Sequence, residues 1–398
     1  MLNPDILSAI PEAFQPLAGM LKDMNVENDV YEGNSFEIIT CGRCKRELLL
    51  EDIRKAKSFI HIEYFRFGND KAGREVRNLL IQKAREGVEV RFLNNNWSGV
   101  VAIPNSYWEP LIRVGAEIIP FTHIKHGIGK WLYRIFHQQH RKVVVIDGQV
   151  AYTGGMNLND NYFFKWRDTH LRMTGPIVPA LNESFMDSWR ASGGRFSYPP
   201  EHYRPEPVVQ DAPFTGKTVQ LVSDSPETQT SAMLETYEWV LDHARDYVYI
   251  QTPYFVPPPS FIGSLTSAAR RGVDVRVMLP MEVDTPFFGT CNRSYYTECL
   301  RAGVRILERG GEFIHSKTLV SDDAFSIIGA SNLDWRSFHV NYEINTLIYD
   351  RETALYNKTV FEEDRELVKE WRLKEWLRGR KWYHAAISWF VHRVYRLL

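Results

Sequence analysis

Residues 84–93 read AREGVEVRFL, and residues 269–279 read ARRGVDVRVML. In both, a helical run stops at a glycine, which adopts the left-handed conformation at little cost, and an apolar–charged alternation then begins a strand. Working outward, FIHIEYF (59–65) and YVYIQTPYF (247–255) precede the pair as further strand candidates. RVGAEII (113–119) and RAGVRIL (301–307) follow it, each another helix end, glycine and strand. Each half therefore reads strand, helix, strand, helix, strand, and such alternation predicts crossover units and a mixed or parallel sheet. Residues 196–216 carry Pro199, Pro200, Pro205, Pro207 and Pro213 without apolar periodicity, as expected of a linker. The expected organisation is an N-terminal segment (1–34), a first α/β domain (35–195), the linker (196–216), a second α/β domain (217–368) and a basic amphipathic C-terminal helix (369–398). The fold class is α/β: duplicated domains, each a mixed sheet flanked by helices, packed about a pseudo-twofold axis.

The length of 398 residues suits two such domains, and 44% hydrophobic with 24% charged residues excludes a disordered chain. Forty-eight Lys and Arg against 49 Asp and Glu leave a net charge of −1, which argues against nucleic acid as the partner. The cysteines Cys41, Cys44, Cys291 and Cys299 are too few for a disulfide scaffold. The lone Cys41-Gly-Arg-Cys44 lacks the second pair that a zinc ribbon needs. There is no run of 18 apolar residues and no basic-then-apolar N-terminus, so neither a spanning helix nor a signal peptide is expected.

The repeat carries matched chemistry. HRKVVVID (140–147) and HSKTLVSD (315–322) both fit His-x-Lys-x4-Asp at an offset of 175 (315 − 140). At that same offset Gly154 matches Gly329, Asn157 matches Asn332, and Asp168 matches Glu343 with a carboxylate kept. His and Lys two apart on a strand share a face. Histidine can attack or carry a proton near neutral pH, lysine is a point charge suited to phosphate oxygen, and an Asn amide donates to another oxygen. A carboxylate can hold the second ring nitrogen and fix the tautomer. Two such sets facing each other bracket one phosphodiester, with a histidine on each side of phosphorus, as in-line displacement requires. The expected catalytic set is His140, Lys142, Asp147, His315, Lys317 and Asp322, with Asn157, Asn332, Asp168 and Glu343 binding phosphate or orienting histidine. Lysines offset the phosphate charge, so neither a metal nor a cofactor is expected. Asp147 and Asp322 each precede a turn, where Asp also commonly bonds local backbone.

These motifs resemble the phospholipase D superfamily, and within it bacterial cardiolipin synthases. The likeness spans roughly residues 35–365. It rests on HRKVVVIDGQVAYTGGMN and KWRDTHLRMTGPIV in the first half, and on TPYFVP, RGVDVRVMLP, FIHSKTLV, IGASNLDWRS and NYEIN in the second. The resemblance implies a metal-free phosphohistidine intermediate, His140 as nucleophile, His315 as acid/base, and Asp168 and Glu343 as the carboxylates that partner histidine. It implies a phosphatidyltransferase that joins two phosphatidylglycerols into cardiolipin and glycerol. Hydrolysis to phosphatidic acid and nuclease chemistry use the same residues and stay open as alternatives. One departure is SDSP at 223–226, where the family has a glycine-containing segment and this chain has Asp224.

Two segments suggest an anionic membrane surface as partner. From Ile118 to Ile146 there is no acid, while Lys125, Lys130 and Arg134 stand among Trp131, Leu132, Tyr133, Ile135 and Phe136. Residues 371–398 hold seven Lys or Arg, one acid and Trp371, Trp376, Trp382 and Trp389. Tyr383, Ile387, Phe390, Val391, Val394 and Leu398 fall on one stripe there. A basic amphipathic helix with aromatics lies in a lipid interface. Trp376, Trp382, Trp389 and Phe390 are the expected membrane-binding residues, on a peripheral protein at the cytoplasmic face of the cell membrane.

Overall fold

The computed structural model describes residues 4–25, 27–95, 103–121, 137–379 and 383–397. The first half contributes strands β1 (Val30–Ile39), β2 (Phe59–Tyr64), β3 (Glu89–Asn94), β4 (Glu117–Pro120), β5 (Lys142–Ile146), β6 (Val150–Gly154) and β7 (His170–Thr174). The second contributes β8 (Phe214–Asp224), β9 (Tyr247–Gln251), β10 (Phe255–Val256), β11 (Asp274–Pro280), β12 (Arg305–Arg309), β13 (Thr318–Ser321), β14 (Phe325–Gly329), β15 (Leu333–Asp334), β16 (Glu343–Ile348) and β17 (Val368–Trp371). One mixed sheet runs β17-β12-β11-β9-β13-β14-β16-β8-β1-β7-β6-β5-β2-β3-β4. Outward from the central β8–β1 pair, both directions give the same order, with β17 added at one edge. The β2-β3-β4 and β9-β11-β12 triplets are parallel, as their helical crossovers dictate, and the remaining pairs in this sheet are antiparallel.

Each histidine motif enters a hairpin. In β5–β6, Asp147 and Gly148 take φ values of 52° and 63°; in β13–β14, Asp322 and Asp323 take 49° and 51°. Two consecutive left-handed residues make the type I′ turn, whose twist suits a hairpin. Asp147 then accepts hydrogen bonds from the amides of Lys57 (2.8 Å), Ser58 (2.7 Å) and Phe59 (3.0 Å), where β2 begins. Asp322 accepts from Arg245 (2.8 Å), Asp246 (3.0 Å) and Tyr247 (2.9 Å), where β9 begins. The motif aspartates are therefore corrected from catalytic to structural. They tie each hairpin to its neighbouring strand, about five strand residues or ~16 Å from the motif lysine.

The two halves meet through a shared apolar cluster, in which Val143, Ala151, Leu171 and Met173 pack with Ile328, Ile344 and Ile348. A fully buried side chain of this kind contributes about 1.5–3 kcal/mol. The N-terminal helix Gln15–Met24 buries Leu17 and Leu21 in the second half's core, and Phe14 stacks on Phe325 at 4.8 Å. Cys41 Sγ accepts from the Cys44 amide at 3.2 Å and so caps the Gly42–Lys55 helix.

The C-terminal region differs from the single helix expected over 369–398. Val368–Trp371 forms β17 against β12, followed by helices Leu373–Gly379 and Tyr383–Val394. Trp376 is buried, donates Nε1–H to Thr297 Oγ1 at 2.9 Å and packs on Tyr296 at 5.1 Å. Its expected place as a membrane contact is corrected: the Tyr296–Ala302 helix offers an apolar face, and an indole buries best where its N–H also finds an acceptor. Trp389 and Phe390 do stand out, 61% and 52% exposed, while Val391 between the turns anchors the helix to the core. Trp382 and the 122–136 stretch lie outside the described residues.

Replacing Asp147 or Asp322 by Ala strands three amides and leaves an alanine at positive φ. Each change should cost about 2–4 kcal/mol of stability. Thermal denaturation checks this. Below the melting transition, kcat/KM of the folded variant should stay within about twofold of the parent, because neither carboxylate reaches the cavity.

Candidate active site

The segments just before β5 and β13 cross to the opposite half. Gln139 bridges Tyr342, and Ile314 bridges Arg167, both in parallel fashion. These pairs are repeat equivalents, since 139 + 175 = 314 and 167 + 175 = 342. The His140 amide donates to the Tyr342 carbonyl at 2.9 Å, and the His315 amide to the Arg167 carbonyl at 2.7 Å. Each histidine is thereby set beside a carboxylate of the other half. His140 Nδ1 lies 2.8 Å from Glu343 Oε1, and His315 Nδ1 lies 2.7 Å from Asp168 Oδ2. Gly155 makes room for the second pair, because a Cβ there would sit 2.1 Å from Asp168 Oδ1.

Lys142 and Lys317 are fully buried beside the rings. Lys142 Nζ donates to the His140 carbonyl at 2.6 Å, and Lys317 Nζ donates to the His315 carbonyl and lies 3.1 Å from His315 Nε2. Each Nδ1 has one in-plane site, which its carboxylate occupies, so Nε2 is the nitrogen left for chemistry. Asn157 accepts from the Arg66 amide at 3.0 Å, and the Asn332 amide donates to Ser337 Oγ at 3.1 Å.

Between the histidines is a cavity of about 220 Å³. His140, His315 and Asn332 line it, together with Arg66, Tyr162, Tyr254, Asp284 and Arg336, among others. The structure thus brings together His140, Lys142, Glu343, His315, Lys317, Asp168, Asn157 and Asn332, and leaves Asp147 and Asp322 outside. Arg66, Tyr254 and Asp284 were not singled out from sequence. A usable signal was their position, just past the carboxyl ends of β2, β9 and β11, where open α/β sheets place ligands. Asp224 is engaged elsewhere: it accepts from Ser231 Oγ (2.8 Å) and from the amides of Ala232 (2.7 Å) and Met233 (3.1 Å), at the start of the next helix.

Burial dominates the electrostatics. It holds His140 well below the usual imidazole range and, with Lys317 beside it, pushes His315 down to about 3. Burial thus biases both rings toward the neutral form in the free protein. Burial also lowers Lys142 to about 7 and Lys317 to about 8, against the pull of Glu343 and Asp168. Glu343 is raised by burial to about 7 despite Lys142, whereas at Asp168 the nearby His315 and Lys317 outweigh burial and hold it low. An arriving phosphodiester anion favours the charged form of the lysines and of a histidine alike.

Two halves that each lend a histidine to the other's carboxylate, around a lysine-flanked cavity, define a phospholipase D-like protein. A family model described as "Cardiolipin synthase, PLD-like domain" matches residues 49–189 and 239–365, and the chain belongs to this family. It is 34% identical over 365 residues to the major cardiolipin synthase of Bacillus subtilis, covering 90% of this chain and 74% of that protein. It is 37% identical over 356 residues to cardiolipin synthase 2 of Bacillus cereus, covering 88% and 67%. Phosphatidylserine synthase of Haemophilus influenzae superposes with a TM-score of 0.66 over 96% of this chain and 97% of that one, at 15% identity, a likeness of fold alone.

A site that needs Glu343 ionised and both lysines charged should work in a narrow window. As pH rises through about 7, Glu343 loses its proton and activity rises; as it continues through about 7 to 8, Lys142 and Lys317 lose theirs and activity falls. The expected kcat/KM profile, which reports the free enzyme, is a bell with its maximum between these values. Glu343→Gln should remove the rising limb and lower the maximum by on the order of 10²-fold or more, since an uncharged amide supports the imidazole far less well.

Proposed function

We propose that this chain is a cardiolipin synthase, transferring a phosphatidyl group from one phosphatidylglycerol to another. The observation that carries this reading is the pair of crossed histidine–carboxylate couples on either side of one cavity. His140 Nε2 attacks phosphorus while the bond to the headgroup glycerol breaks. His315, protonated once the substrate anion is beside it, gives its proton to the departing glycerol oxygen. A phosphatidyl–His140 intermediate results. His315 then takes the proton from a primary hydroxyl of a second phosphatidylglycerol, that oxygen attacks phosphorus, the P–N bond breaks, and cardiolipin leaves. Lys142, Lys317, Asn157 and Asn332 hold the nonbridging oxygens, and Asp168 and Glu343 keep each Nδ1 protonated and each ring in place. Fixed donors aimed at developing charge are the larger part of such catalysis.

The chain is proposed to act at an anionic membrane from its cytoplasmic face. Among the described residues no helix is long and apolar enough to cross a membrane. Exposed Trp389 and Phe390, with Arg393 lying 4.7 Å from the Trp389 ring, form a face suited to the lipid interface.

His140→Ala and His315→Ala should each abolish turnover on phosphatidylglycerol vesicles while the protein still folds, as circular dichroism checks. Mass analysis of products in a strong chelator is the test: cardiolipin plus glycerol is expected. Phosphatidic acid alone would make the protein a hydrolase. Restoration of activity only by an added metal would overturn the metal-free route. Separately, Trp389→Asp should weaken vesicle co-sedimentation several-fold even at high salt, where the polybasic part is screened. Turnover of dispersed short-chain substrate should change much less. Unaltered sedimentation would remove Trp389 from the membrane contact.

A further inference from the structure

The cavity departs from its own symmetry. Register pairs His61 with Val145 and Tyr249 with Val320. Val145 and Val320 are repeat equivalents (320 − 145 = 175), so His61 corresponds to Tyr249 and, five residues on, Arg66 to Tyr254. The short bridges agree, Phe67 pairing with Leu158 and Phe255 with Leu333. One half thus sets a guanidinium at the cavity where the other sets a phenol. That phenol is engaged: Tyr254 Oη donates to Asp284 Oδ1 at 2.7 Å. Asp284 lines the cavity with both histidines and is itself exposed. The Tyr254 ring stands edge-on to His315 at 6.4 Å, whereas His140 meets Phe65 at 4.8 Å, so the Tyr254–Asp284 pair belongs to the His315 side.

A carboxylate is poorly suited to touch phosphate, because like charges repel strongly across a cavity partly removed from water. It is well suited to neutral hydroxyls. An ionised carboxylate has about four acceptor positions on two oxygens, and the Tyr254 hydroxyl takes one of them. A polyol with adjacent hydroxyls can fill the rest. We propose that Asp284, oriented by Tyr254, recognises the vicinal hydroxyls of the glycerol headgroup, both the glycerol that leaves and the one that attacks. The inference rests on the phosphatidyltransfer reading and deepens it. It places the hydroxyl-bearing group on the His315 face, which makes His315 the residue that exchanges the proton and leaves His140 on the opposite face as the attacking group. Asp284 accepts hydrogen bonds throughout and takes no proton. It determines specificity, and Tyr254 is its positioning residue.

The test is acceptor competition. Purified protein on phosphatidylglycerol vesicles is given equal concentrations of 1,2-propanediol and 1-propanol, and the two phosphatidyl-alcohols are measured by mass. The parent should favour the diol. In Asp284→Ala the diol-to-monoalcohol ratio should fall about tenfold or more, the loss of hydrogen bonds to a charged acceptor; slower departure of glycerol lowers both products alike and leaves the ratio to report the acceptor. Tyr254→Phe should shift the ratio in the same direction by less. An unchanged ratio in active Asp284→Ala, or a parent without diol preference, would each overturn the inference. A parent that forms neither cardiolipin nor any phosphatidyl-alcohol would instead sink the transferase reading beneath it.

Discussion

The bond between each histidine and a carboxylate of the opposite half is the constraint on which the site depends. His140 meets Glu343 and His315 meets Asp168, at 2.8 and 2.7 Å. All four side chains are buried. A buried carboxylate without a partner is costly, and so is a lysine beside an unopposed positive ring. Neither half can therefore hold its own histidine, lysine and carboxylate in working order. The parallel bridges Gln139–Tyr342 and Arg167–Ile314 make the crossing a matter of backbone register rather than of flexible side chains. Assembly of the two halves and assembly of the site are one event. The apolar cluster shared by Val143, Leu171, Ile328 and Ile344 supplies the driving force, because it joins β5, β6 and β7 of one half to β14 and β16 of the other.

The same crossing explains the electrostatic state. Two lysines and two histidines converge on a small cavity, and burial pushes every one of them toward its neutral form. The free site is thus poised short of its full positive charge. A phosphodiester anion supplies the missing opposite charge and draws protons onto the lysines and one ring. Binding and protonation are linked, and a site of this kind prefers an anion at phosphorus to a neutral molecule of the same shape.

Much of this was legible in the sequence because duplication makes each half a control on the other. His140 and His315, Lys142 and Lys317, and Asp168 and Glu343 stand at one offset, and the Gly-stopped helices around 87 and 272 announce the crossovers. What was not legible depended on partners remote in sequence. Asp147 and Asp322 keep the motif spacing as strictly as the lysines do, yet their carboxylates serve strand-entry amides. Spacing reports that a position is constrained, and only geometry reports by what. Trp376 and Trp389 share one basic aromatic stretch, and residue type treats them alike. Burial of one against Tyr296 and exposure of the other follow from their places on two separate helices, Leu373–Gly379 and Tyr383–Val394, that come after β17, a division with no amphipathic signature.

Symmetry also sets a limit on what two equal halves can do. A transfer that begins and ends at the same phosphorus needs one face to hold a leaving or entering hydroxyl and the other to hold the enzyme's own nitrogen. Perfectly equivalent halves would bind the substrate in two orientations and commit each histidine to both roles. The inner ring of His, Lys, Asn and carboxylate is kept nearly symmetric, since both faces must stabilise charge on one phosphorus. The outer ring is where the halves diverge, Arg66 standing opposite Tyr254 in the repeat, with Asp284 joined to the latter. Those residues sit on chain segments beyond the strand ends, where a change of side chain leaves the sheet, the hairpins and the crossed couples untouched. A duplicated fold can in this way retain the paired machinery that its core demands and still give its two faces different chemistry.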